Sequence, residues 1–253
     1  MPSASEGSAP TAAVLVIGNE ILSGRTQDTN TGWIGAKLAE RGLRLREART
    51  VPDIEAEIVA ALRALSARYD YVFTTGGIGP THDDITAESV AKAYDLPLVT
   101  DPEAVRRLER HYGAGKVTPA RLRMARVPQG AALIDNVVSG APGFHIGNVF
   151  VMAGVPAIMR AMLDGILPTL ANGPKILQRI VETDTAESVL AEGLGQVQGA
   201  HPTVDIGSYP WFREGKAGVS LVARGTDAAQ LDQVAQDILR MIGTLGGTAE
   251  IRG

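Results

Sequence analysis

Apolar positions along the chain follow two periods. Short, nearly unbroken apolar runs recur at 12–18 (AAVLVIG), 69–75 (YDYVFTT) and 149–154 (VFVMAG). Runs this short read as strands covered on both faces. LRLREARTV (43–51) and AALIDN (131–136) read as further strands. Between them the spacing lengthens to that of a helix. Ile34, Leu38 and Ala39 mark a helix over 31–41 that Gly42 closes, and Ile58, Leu62 and Leu65 mark the next, opened by Pro52 and Asp53. Helices are also predicted over 89–94, from Pro102 to about His111, from Pro119 through PARLRMA, and from Pro156 to about Leu170. Alternation of strand and helix predicts an α/β fold: a mostly parallel sheet with helices on both faces, in three layers. Ligands of such sheets sit where loops leave the carboxyl ends of the strands.

Beyond the turn-forming Asn172-Gly173-Pro174 the order changes to strand, helix, strand, strand, helix, strand. That order predicts a small α+β domain of ferredoxin-like type. The expected division is a disordered tail over 1–11, small and polar in composition, then the α/β domain over 12–171 and the small domain over 172–253.

Composition narrows the function classes. The 253 residues carry a formal charge of -4, which argues against a general nucleic-acid binder. The small domain has seven Lys and Arg against ten Asp and Glu and lacks a convincing GXXG backbone clamp, so RNA binding is not expected there either. Cysteine is absent, which removes disulfides, thiolate metal sites and a cysteine nucleophile, and fits a cytoplasmic location. The most apolar long stretch is interrupted by Arg160, Asp164 and prolines, so no membrane span is expected. The start lacks the basic region of a secretory signal.

The chemistry concentrates in loops. TTGGIGPTHDDITAE (74–88) joins a strand to a helix and holds Gly76, Gly77 and Gly79. Bare glycine amides beside a helix start make an anion cradle, or a tight turn and nothing more. Asp83 and Asp84 follow, then Glu88. One aspartate is explained as a helix cap, but two adjacent acids beside a phosphate cradle suit a hard divalent cation bridging carboxylate and phosphate. Thr81 and Thr86 add hydroxyls; His82, alone in a loop, is by default a solvated side chain. The loop after the first strand, GNEILSGRTQDTN, offers Gly18, Glu20, Asp28 and Asn30, although Asn30 also suits a cap for the helix from Thr31. Gly140, Pro142 and Gly143 in SGAPGF, and Gly154 and Pro156 in MAGVPAIM, are weaker turn signals, the last with proline in a first helical turn.

Together these segments resemble the molybdopterin-binding domains of MoaB/Mog type. TTGGIGPTHDDITAESVA is similar to their TGG-G…DD-T-E signature, and its GPT and double aspartate resemble the CinA-like branch. GNEILSGRTQDTN and PQGAALIDNVVSGAPGF match that branch in the same order, so the resemblance runs from Ala12 to about Thr169. It implies a three-layer α/β/α domain followed by a ferredoxin-like or KH-like one, usually in a homo-oligomer. It also implies a phosphorylated small-molecule ligand, either molybdopterin in cofactor biosynthesis or a nucleotide. In the branch, a metal-dependent pyrophosphatase acts on ADP-ribose- or FAD-like compounds with Mg²⁺, Mn²⁺ or Co²⁺. The acid most important to that motif falls on Asp84, aided by Asp83. Alternatively the domain is a non-catalytic pterin- or nucleotide-binding module. One segment departs from the family: Ala153 stands where proline is usual, and Ile158 where an acid is common.

Overall fold

The computed structural model describes residues 9–113, 115–213 and 215–252. Most of the expected tail, 1–8, lies outside them. The chain divides into two compact units between Pro174 and Lys175, within the irregular stretch 171–176.

The first unit opens with β1 (Thr11–Ile17). Thr11 belongs to the strand rather than to a tail: its amide and hydroxyl both donate to Asp70, at 2.8 and 2.7 Å. A single helical turn, α1 (Asn19–Leu22), follows where a plain loop was expected. Then come α2 (Asn30–Glu40), β2 (Arg44–Val51), α3 (Glu55–Arg68), β3 (Tyr71–Thr75) and α4 (Thr86–Ala93). The next elements are β4 (Leu98–Thr100), α5 (Pro102–Tyr112), α6 (Pro119–Leu122) with a 3-10 turn over Arg123–Ala125, and β5 (Arg126–Pro128). The unit ends with β6 (Ala132–Ile134), β7 (Gly143–Ile146), β8 (Val149–Met152), α7 (Pro156–Ile166) and a second 3-10 turn over Leu167–Thr169.

The main sheet runs β2-β1-β3-β8-β7-β6. Its first four strands are parallel, while β7 and β6 add on antiparallel. The sheet is thus parallel-rich with an antiparallel edge, because β6-β7 and β7-β8 are joined by short returns rather than by helices. Alternation along β1 explains the three layers. Ala12, Val14 and Val16 pack with Ile34 and Leu38 of α2 and with Met159 and Leu163 of α7. Ala13, Leu15 and Ile17 pack with Ile58, Leu62 and Leu65 of α3 on the other face. A strand buried on both faces has no polar alternation, which is why AAVLVIG is unbroken.

The pattern did not predict β4, β5 and β7. The first two form a separate antiparallel pair, and β5 contains a proline. Strands this short carry too few residues for any period to emerge.

The second unit contains β9 (Leu177–Thr183), α8 (Glu187–Ala200), β10 (Asp205–Arg213), β11 (Lys216–Gly225), α9 (Ala228–Thr244) and β12 (Ala249–Arg252). Its strands pair wholly antiparallel in the order β10-β11-β9-β12, the ferredoxin-like arrangement. Val181, Leu221, Leu231 and Ile238 anchor its core.

Candidate functional site

Because β1, β2, β3 and β8 are parallel, the loops that follow them emerge at one edge of the sheet. Hydrogen bonds lace these loops together. The Gly18 amide donates to the Val51 carbonyl at 3.2 Å, and the Asn19 amide to the Asp53 carboxylate at 2.9 Å. Asp53 therefore ties the first loop to the second and is not the cap of α3, whose N-terminus has no side-chain cap. The Asn30 side-chain amide donates to the Gly154 carbonyl at 2.8 Å, which joins the first loop to the turn after β8.

At the centre lies the glycine loop. Gly76 has φ +103° and Gly77 has φ +67°. A methyl group on Gly76 would come within 2.2 Å of the Ile17 carbonyl oxygen, and one on Gly77 within 2.2 Å of Thr86 Oγ1. Both positions therefore require glycine, for conformation and for space. Thr86 is fully buried and spans the turn: its hydroxyl donates to the Gly76 carbonyl at 3.0 Å and its amide to the Gly77 carbonyl at 3.0 Å. The Thr86 hydroxyl thus belongs to the scaffold of the loop. The Gly76 amide is used by Met152, whereas the amides of Gly77 and Gly79 donate to no group among the described residues.

Asp84 does not cap α4. Its Oδ2 accepts from the Thr81 amide at 2.8 Å and from the Thr81 hydroxyl at 2.5 Å. The same oxygen lies so close to Gly79 that a methyl group there would come within 2.6 Å of it. Asp83 is exposed, and the Thr81 side chain, the Asp83 backbone amide and the nearby His82 and Arg123 hold its carboxyl below the usual aspartate range. His82 is almost wholly solvated. Glu88 is half-buried and pairs with Arg126 at 2.9 Å.

The sequence-derived residues separate into two adjoining clefts. Gly77, Gly79, Asp84 and Glu88 line one, with Pro142 beside them. Glu20, Asp28, Asn30, Gly76, Gly154 and Pro156 line the other. The two meet at the Gly76-Gly77 peptide. In the second cleft Asp28 Oδ1 accepts from the amides of Asn30 and Thr31 at 2.9 and 3.1 Å, so the start of α2 is held by Asp28 and not by Asn30. The Glu20 carboxylate folds back over Gly18. Gly18, Thr81, Asp83, Thr86, Gly140 and Gly143 line neither cleft. Gly140 packs against the His111 ring, and Gly143 opens β7 with its Cα against the Val151 carbonyl.

Three contributors were not foreseen. Arg123 and Arg126 complete the first cleft, delivered by the 3-10 turn and by β5. Thr75 lines the second; it is buried, and its hydroxyl lacks a partner among the described residues, as does Asn30 Oδ1. Only proximity in the fold distinguishes Arg123 and Arg126 from any surface arginine.

Residues 13–172 match the family described as a probable molybdopterin binding domain, and 175–245 match the middle domain of FAD synthase. The chain belongs to the molybdopterin-binding domain family. A CinA-like protein of Geobacter sp. strain M21 is 38% identical over 244 residues, which cover 91% of this chain and 58% of that protein. A protein of Thermoplasma acidophilum is 32% identical over 255 residues, 94% of this chain and 98% of its own length. A crystal structure of the protein CinA, of unknown function, from the same organism aligns with a TM-score of 0.61 at 38% identity, covering 64% of this chain and 98% of that one. The parallel-rich fold of the first unit is thus that of the CinA structure.

Proposed function

We propose that this protein binds a phosphorylated pterin or nucleotide at the glycine loop and, with a divalent cation, hydrolyses the diphosphate of ADP-ribose- or FAD-like compounds. One observation carries the reading: the free amides of Gly77 and Gly79 share a cleft with the carboxylates of Asp84 and Glu88. Amides of that kind bind phosphate oxygens, and carboxylates beside them suit a cation that bridges to phosphate. The family descriptions support both ligand classes, since one names molybdopterin and the other FAD synthase.

Asp83 and Asp84 would hold the cation. Among the described residues no group of three His, Cys, Asp or Glu is placed to hold a metal ion. Two carboxylates nevertheless fit an ion of Mg²⁺ type, which keeps several waters and takes its remaining ligands from substrate phosphates. Such an ion arrives with the substrate instead of residing in a protein cage. When bound, it offsets phosphate charge and makes a coordinated water more acidic. The chain's own residues do the rest. Thr81 orients Asp84, Thr86 fixes the cradle, and Asn30 holds the neighbouring turn against the first loop.

A second reading, a binding module without turnover, is favoured by the engagement of Asp84 Oδ2 with Thr81. Product analysis separates the two readings. Purified protein incubated with ADP-ribose or FAD and Mg²⁺, Mn²⁺ or Co²⁺ should release nucleoside monophosphate; binding without release with all three metals supports the module.

No helix among the described residues is long and apolar enough to cross a membrane.

A further inference from the structure

The first cleft contains two arginines with different surroundings. Arg126, at the start of β5, is committed: its Nη1 bonds Glu88 Oε1 at 2.9 Å, which ties the β5 segment to α4. The guanidinium of Arg123, three positions earlier in the 3-10 turn, makes no hydrogen bond or ion pair among the described residues. It lines the same cleft as Gly77, Gly79 and Asp84, and its charge reaches Asp83. The Glu88–Arg126 pair is internally neutral, so Arg123 is the cation there without a committed partner. Unpaired amides and an uncommitted guanidinium together form a site for an anion, not for a neutral ring, while the nearby carboxylates suit a cation beside it.

We infer that Arg123 clamps a phosphate of the bound diphosphate within the cleft it shares with the glycine loop, with Arg126 acting as a positioning residue through Glu88. This inference rests on the proposed phosphate ligand, but not on turnover. A planar guanidinium presents two parallel donors that match two phosphate oxygens, which an ammonium cannot do. The clamp gives the site an affinity for diphosphate that persists without metal. It also gives the short β4-β5 pair a role: β5 and the turn before it deliver the second half of the cradle.

The test uses the full chain, with ADP and inorganic pyrophosphate as probes, measured by calorimetry in EDTA and again with Mg²⁺. Arg123→Met keeps the aliphatic stem and should leave the melting temperature unchanged. It should weaken both probes by about 10- to 100-fold in both conditions, the usual worth of a charge-assisted hydrogen-bond pair. Arg123→Lys should recover only part of the loss. Equal affinity of wild type and Arg123→Met would overturn the clamp, and full recovery by lysine would reduce it to a point charge and contradict the fork. The outcomes remain separable from those of the enzymatic reading. If wild type hydrolyses ADP-ribose and Arg123→Met does so with unchanged KM, the clamp fails and the enzyme stands. If ADP binds through Arg123 and no hydrolysis occurs, the enzyme fails and the clamp stands.

Discussion

Thr75 ends β3 with a hydroxyl that is shut away from water and bonded to nothing among the described residues. An unpaired buried hydroxyl costs the empty protein stability, on the order of 1–3 kcal/mol. Thr75→Val preserves shape and β-branching while removing that group. The melting temperature of the empty protein should therefore hold or rise, as a thermal melt in wild type and variant will show; a clear fall would mean that the hydroxyl has a partner in the folded chain. Legibility at this scale was uneven. Gly76, Gly77 and the two aspartates stood out because bare glycine amides at a strand-helix junction suit a phosphate and adjacent acids suit its cation. Thr75 did not, since a threonine closing a β-run is ordinary and only the packed structure shows the hydroxyl without a partner. One of the two aspartates was expected to cap α4, but no side chain does so, and at α2 the cap expected of Asn30 falls to Asp28.

Among the elements, α4 is held from several sides. Arg63 of α3 donates to the carbonyls of Ala93 and Lys92 at its C-terminus, and Glu55 pairs with Lys92. That fixes where Glu88 sits and hence where Arg126 docks. In the second unit, α8 and α9 are joined by His201 and Asp237 at 2.8 Å, with Arg240 and Gln233 on the same carboxylate. Burial pushes the Asp237 carboxyl up, but His201, Arg240 and Gln233 outweigh it, and the carboxyl titrates below its usual range. A depressed carboxylate contributes stability that is fully present above the unfolded value and is lost as pH falls through the folded one. Asp237→Asn should therefore destabilise α8 and α9 at neutral pH by about 1 kcal/mol. The gap from wild type should close in acid below about pH 3.9. Amide exchange in the two helices, followed against pH, checks both parts; a gap that widens in acid would contradict the sign. Long periodic helices such as α3 and α9 were plain in the sequence. The one-turn α1 and the three-residue β4 and β5 were not, because their register is set by contacts with distant segments.

The molecule as a whole is a parallel-rich α/β unit followed by a ferredoxin-like one. The change in element order after Pro174 was visible in the sequence. The antiparallel edge formed by β7 was not, since Gly143 opens a strand within a segment that reads as a turn. Every residue assigned to the two clefts lies in the first unit. A chain ending at Pro174 should therefore still bind ADP within a few-fold of full-length affinity, as calorimetry on the folded truncation would show; loss of binding with the fold intact would place part of the site in the second unit. The central claim, that Asp84 serves metal-assisted hydrolysis and not only the shape of its loop, has a direct test. ADP-ribose hydrolysis is measured at saturating metal for wild type and Asp84→Asn, with melts of both empty proteins alongside. Asparagine keeps an oxygen for Thr81 and removes the charge. The account predicts that the rate falls by about 10²–10³ while the melting temperature changes little; wild-type turnover that survives intact in Asp84→Asn would contradict it.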